Sequence, residues 1–268
     1  MLGLIFIILV VTLMLFLQIT LRKKQKILLP PQALVTRVLQ QRVAYYSRLA
    51  APDQLRFQKE TTAFLKRVKI TGIGTAITSE DRILVAASGI IAIFGFKGWQ
   101  YPNLNEVLVY PDRFTHDFDF SESNEDRNIL GMVGNGGMDN MMILSKPALH
   151  QGFSGYTDYG NTALHEFVHL LDKADGETNG IPSWFMDKDD ILPWLQLVHH
   201  NIQAIKENNS DIDPYGATNA AEFFAVAAVY FFEKPQLFKQ NHPGLHASLQ
   251  KVFRQEEIGY PSQVASNH

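Results

Sequence analysis

Residues 161–176 read Asn-Thr-Ala-Leu-His-Glu-Phe-Val-His-Leu-Leu-Asp-Lys-Ala-Asp-Gly. Ala163, Leu164, Phe167, Val168, Leu170 and Leu171 are apolar, so the spacing predicts a buried helix over 161–172. Inside it lie His165, Glu166 and His169. Positions i and i+4 share a helix face, so both imidazoles can point at one metal ion. A buried helix carrying three polar groups needs partners for all of them. A metal ion meets that need for the two histidines; the bland alternative is a set of hydrogen-bonded core histidines. Glu166, next to the first histidine, is placed to take a proton from water as general base while a metal polarises a scissile carbonyl.

A catalytic zinc site takes three protein ligands and keeps one position open. Glu222 is the expected third ligand. It stands in Ala220-Ala-Glu-Phe-Phe-Ala-Val-Ala-Ala-Val-Tyr-Phe-Phe232, where an ionised carboxylate is very costly without a cation. A structural salt bridge is the alternative. Asp175 is the rival ligand, but a sharp turn after the helix favours glycine where Asp172 stands. Asp172, three residues after His169, reads equally as a group bonding the free nitrogen of that histidine or as a surface carboxylate near Lys173. Gly176 and Gly180 end the helix and shape the loop. Tyr215, just before the Glu222 helix, reads as an oxyanion donor or as a packed loop tyrosine. His116, His150, His199, His200, His242 and His246 form no comparable ligand set.

Around this core the chain reads helices, a small strand-rich middle, then helices, which indicates an α+β fold. Helices are expected over 32–49 and 53–68, with Pro52 separating them. Residues 80–94 form a long apolar run that suits a buried helix, although Gly89 interrupts it. Strands are expected at 105–110 and 141–145, an exposed acidic hairpin or loop at 116–131, and further helices at 190–207 and 218–233.

The 268 residues have no cysteine and a net charge of -3. That excludes disulfide scaffolds, cysteine-bound zinc, thiol enzymes and iron–sulfur proteins. It leaves imidazole and carboxylate as the ligands for a metal. The near-neutral total also speaks against a nucleic-acid partner. The average hides uneven segments. Residues 2–21 carry no charge, residues 22–70 hold 12 of the 24 Lys+Arg against only Asp53 and Glu60, and the remainder is strongly acidic. Twenty uncharged residues span about 30 Å as a helix, the thickness of a bilayer core. With Arg22, Lys23, Lys24 and Lys26 following at once, the expectation is one transmembrane helix with the rest of the chain in the cytoplasm.

The chain resembles the Mlc titration factor A family of zinc-dependent peptidases. The likeness runs in order over roughly residues 30–260. It includes Asn105-Glu-Val-Leu-Val-Tyr-Pro-Asp-Arg-Phe114, Met142-Ile-Leu-Ser145, His165-Glu-Phe-Val-His-Leu-Leu-Asp172, Asn179-Gly-Ile-Pro182 and Pro214-Tyr-Gly-Ala-Thr-Asn-Ala-Ala-Glu-Phe-Phe-Ala225. The resemblance implies a zincin-like fold, Zn2+ held by His165, His169 and Glu222, Glu166 as catalytic base and Tyr215 as the active-site tyrosine. It also implies a peptide substrate laid along an edge strand, for which Met141–Ser145 is the natural candidate.

The expected whole is an α+β, zincin-like peptidase domain over 32–262 with a small sheet and metal-binding helices. A basic linker at 22–31 and a transmembrane anchor at 1–21 precede it. The expected function is a zinc metallopeptidase on the cytoplasmic face of the inner membrane. Its partners would be a peptide or protein substrate, membrane lipid and, by the resemblance, a transcriptional regulator. The alternative is a non-catalytic binding module that sequesters such a regulator.

Overall fold

A computed structural model describes residues 29–115, 128–134, 136–155 and 160–255. Among the described residues three helices come first: α1 (Gln32–Arg42), α2 (Ala44–Arg48) and α3 (Ala51–Arg67). The helix expected over 32–49 is broken at Val43, whose backbone is extended. Val43 is itself buried, and so are Val35, Val38 and Leu39 on α1. Pro52 sits in the first turn of α3, where a missing N–H costs nothing.

The middle of the chain supplies β1 (Lys69–Gly72), α4 (Ser79–Ile93), β2 (Glu106–Tyr110), β3 (Gly131–Val133) and β4 (Met141–Ser145). The sheet order is β1-β2-β4-β3. β1 pairs with β2 and β2 with β4 in parallel, whereas β3 runs antiparallel to β4. The fold is therefore α+β with a small mixed sheet and mostly helices. Its middle still holds one β-α-β crossover, β1-α4-β2, made by the apolar run at 80–94. Most of the segment expected as an acidic loop, residues 116–127, lies outside the described residues. At its end, Gly131 opens the strand Gly131–Val133.

Five further helices complete the domain after α5 (Lys146–Gln151): α6 (Thr162–Asp172), α7 (Lys188–Lys206), α8 (Ala220–Glu233), α9 (Pro235–Asn241) and α10 (Pro243–Val252). α4 starts from a capping box, the Thr78 hydroxyl accepting from Asp81 N–H and the Asp81 carboxylate accepting from Thr78 N–H. Twelve of its fifteen residues are buried, because it lies between the first helices and α6. Gly89 is what lets it do so. A β-carbon there would stand 2.9 Å from Phe167 Cε1 and 3.1 Å from Phe64 Cε2. The Phe64 and Phe167 rings pack edge to face across the gap, centroids 5.7 Å apart. The same close approach lets the Tyr101 hydroxyl donate to the Gly89 carbonyl at 2.8 Å. α8 packs against α6 and buries Phe223, Phe224, Phe231 and Phe232.

The expectation of a membrane-tethered, cytoplasm-facing protein is corrected. Among the described residues no helix is long and apolar enough to cross a membrane. Residues 2–21 and the basic 22–28, on which that expectation rested, lie outside the described residues. An uncharged run of the right length meets a requirement for spanning a bilayer without showing that a spanning helix forms.

Candidate metal centre

Two capped helices build the site. The Asn161 side chain accepts from Leu164 N–H at 3.0 Å and starts α6. The Asn219 side chain accepts from Glu222 N–H at 2.9 Å and starts α8. An asparagine in each of these places satisfies a backbone donor that no helix turn can reach. His165 and His169 project from one face of α6, and Glu222 from the first turn of α8.

These three side chains converge. His165 Nε2 lies 2.9 Å from Glu222 Oε2, His169 Nε2 lies 3.3 Å from the same oxygen, and the two imidazole nitrogens are 3.0 Å apart. Burial pushes the Glu222 carboxyl up, but its hydrogen bonds to both histidines outweigh this and hold it at about 2. His169 is raised although burial opposes it, through its hydrogen bond to Glu222 and the charges of Glu166, Glu222 and Asp172. A tetrahedral ion with bonds of about 2.0–2.1 Å would space its ligand atoms about 3.3 Å apart. Two imidazole nitrogens and one carboxylate oxygen already gathered at 2.9–3.3 Å fit a metal ion.

Glu166 points toward the sheet. It is 7% exposed. Its carboxyl accepts from Val133 N–H and is raised, chiefly by burial and against the charges of His165 and His169. The hydrogen bonds Ser145 N–H to Leu130 C=O and Gly134 N–H to Met141 C=O flank the β3–β4 ladder. Antiparallel alternation then turns the backbone groups of Gly131 and Val133 away from β4, toward α6. Among the described residues, then, β3 is the edge strand at the site, with Val133 N–H given to Glu166. Met141–Ser145, the strand expected to take a peptide, is paired on both sides and has no free edge. β3 escaped sequence reading because three residues beginning with glycine carry no alternating pattern.

Tyr215 sits in the 3-10 turn Pro214–Ala217. It is 55% exposed, and its ring centroid lies 6.0 Å from that of His165. A cleft of about 1560 Å³ joins Val133, His165, Glu166, Tyr215, Glu222 and Tyr230. Asp175 stands apart from the convergent group, its carboxylate accepting from Glu177 N–H and the Ser183 hydroxyl. Asp172 is fully buried, which removes its surface reading; Lys173 turns instead to the Gly134 carbonyl and Asp139. Burial lifts the Asp172 carboxyl to about 6, against the hydrogen bond from Gly180 N–H and the charge of His169. Of the other histidines, His150 pairs with Asp81 and His242 with Asp211. His199 and His200 are exposed, and His116 lies outside the described residues.

A paired-histidine helix with a glutamate from a second helix defines the metal-dependent class, and sequence comparison agrees. The profile of the glucose-regulated metallo-peptidase M90 family matches residues 19–254, and the chain belongs to that family. Among its relatives, the uncharacterized protein slr2042 of Synechocystis sp. is 30% identical over 82% of this chain and 83% of its own. Mlc titration factor A of Pectobacterium atrosepticum is 30% identical over 65% of each chain. That of Salmonella arizonae is 29% identical over 80% of this chain and 87% of its own.

Proposed function

We propose that the protein is a zinc-dependent metallopeptidase with a zincin-like domain over residues 32–262. The observation that carries this is the convergence of His165, His169 and Glu222 beside a buried Glu166. In this reading His165 Nε2, His169 Nε2 and Glu222 Oε2 hold Zn2+, which when bound supplies Lewis acidity toward the scissile carbonyl and makes water more acidic. Glu166 takes the proton of the attacking water and delivers it to the leaving amine. The Tyr215 hydroxyl, from the same cleft, donates to the developing oxyanion. The backbone groups of Gly131, turned away from β4, pair with an extended peptide, as a sheet edge does, while Val133 N–H stays with Glu166.

The test is Glu166→Gln in the zinc-loaded protein, assayed on a peptide library. Zinc content stays at the wild-type level and hydrolysis is lost. A variant that cleaves at the wild-type rate sinks the mechanism. The name Mlc titration factor A favours a second role, binding of a transcriptional regulator. Capture of that regulator unchanged by chelator, with no cleavage of any peptide, would favour this role over catalysis.

A further inference from the structure

Among the described residues, two buried polar atoms next to the convergent group have no hydrogen-bond partner, each other included: His169 Nδ1 and Asp172 Oδ1. They belong to residues three apart on α6, which are neighbours on a helix surface. One is a ring nitrogen that can donate and the other is a carboxylate oxygen that accepts. His169 uses Nε2 toward Glu222, so Nδ1 is the nitrogen left over.

The other oxygen of Asp172 is engaged. Oδ2 accepts from Gly180 N–H at 2.8 Å. Gly180 is itself held on two further sides. Its carbonyl accepts from Trp194 Nε1 of α7 at 2.7 Å. Its α-carbon faces the start of α8, where a β-carbon would stand 2.3 Å from the Ala220 carbonyl oxygen and 2.9 Å from Ala221 N. Ala220 is two residues before Glu222. Gly180 also has φ +77, a conformation glycine adopts without strain. A single carboxylate thus stands between His169 on one helix and, through Gly180, the turn that presents Glu222 on the other.

We propose that Asp172 is a positioning residue for the site: its unpartnered Oδ1 is the acceptor to which the His169 imidazole turns Nδ1–H once Nε2 is committed to a metal, while Oδ2 holds Gly180 against α8 and so sets the distance between His169 and Glu222. This rests on the metal-site reading above. A carboxylate behind a ligand histidine fixes its tautomer and ring orientation, and its loss typically weakens metal binding 10–100-fold.

Asp172→Asn separates the two roles. The amide keeps an oxygen for Gly180 N–H but presents an NH2 group, which cannot accept from His169 Nδ1–H. The experiment measures zinc affinity of the full chain by chelator competition and the visible spectrum of the cobalt form, with thermal unfolding of the metal-free protein as a folding control. Wild type binds one equivalent. Asp172→Asn unfolds near the wild-type temperature, binds zinc at least tenfold more weakly and shifts the cobalt spectrum. Wild-type affinity together with an unchanged spectrum in Asp172→Asn overturns the proposal and leaves the metal-site reading standing. Failure of the wild type itself to bind overturns that reading, and this proposal with it. Gly180→Ala, checked by the same thermal unfolding, tests the second role. Carbonyl contact with Ala220 pushes α8 away, and the affinity falls if the coupling is real. Unchanged affinity in that folded variant overturns the link to α8.

Discussion

Gly131 on β3 lies so close to Glu166 on α6 that a β-carbon at 131 would stand 2.7 Å from Glu166 Cγ and 2.9 Å from its Oε1. No positive φ calls for glycine there; the approach of Glu166, and of Thr162 Cγ2 at 2.9 Å, does. Gly131→Ala must therefore displace the Glu166 side chain or push β3 outward. On the proposed mechanism the general base moves, so kcat falls by one to two orders of magnitude, the scale on which misplacement of about 1 Å acts. Zinc content stays unchanged, because the three convergent atoms are not touched. Steady-state kinetics beside metal analysis check this, and wild-type kcat in Gly131→Ala refutes it.

Glu222 and Asp175 are separated by the structure, and metal analysis can decide between them. Glu222→Ala removes one of the three convergent atoms and is expected to lose zinc at concentrations that saturate wild type. Asp175→Ala, whose carboxylate serves the 177–183 loop, is expected to keep it. Zinc lost from Asp175→Ala and kept by Glu222→Ala would reverse the assignment.

Gly89 predicts a packing cost. Alanine in mid-helix is worth about 1 kcal/mol over glycine. Here, however, the added methyl meets Phe167 and Phe64 at 2.9 and 3.1 Å. Both rings are buried and cannot swing away. Overpacking of this kind costs about 1–3 kcal/mol, so Gly89→Ala is expected to be destabilised by about 1 kcal/mol net, and Gly89→Val by more. Urea unfolding midpoints test the order wild type, Ala, Val.

Asp211 predicts an acid-dependent contribution. Burial raises its carboxyl, but hydrogen bonds from Tyr230, His242 and Asn241 outweigh this and bring it to about 2, below the ordinary 3.8. A carboxyl depressed by folding adds stability that is fully present above its unfolded pKa and fades as pH falls toward the folded one. The stability difference between wild type and Asp211→Asn is expected to be constant above about pH 5 and to shrink between about pH 4 and pH 2. Denaturation at several pH values measures it, and a difference that grows on acidification contradicts the assignment. Because Asp211 is 40% exposed, solvent screens its interactions and keeps the effect modest.

Much of the site was legible in the chain because helices report locally. The apolar stripe around His165–His169 and the lone Glu222 in an apolar run are properties of short windows, and both helices stand where periodicity placed them. The resemblance rested on the same windows, as did the expected strands at 105–110 and 141–145. The membrane expectation used the same kind of window with a weaker warrant, since hydropathy reports suitability for a bilayer and not residence in it.

What the sequence by itself determined is the inventory: no thiols, two histidines one helical turn apart, a glutamate too costly to bury alone and the α+β order of elements. Only the tertiary structure decided which groups meet. Among the described residues β3 is the edge strand at the site although β4 has the stronger strand pattern, Asp172 is buried beside His169, and a β-carbon at Gly89, Gly131 or Gly180 would come within 3 Å of another element. A missing side chain leaves no pattern along the chain, and its reason lies in atoms tens of residues away.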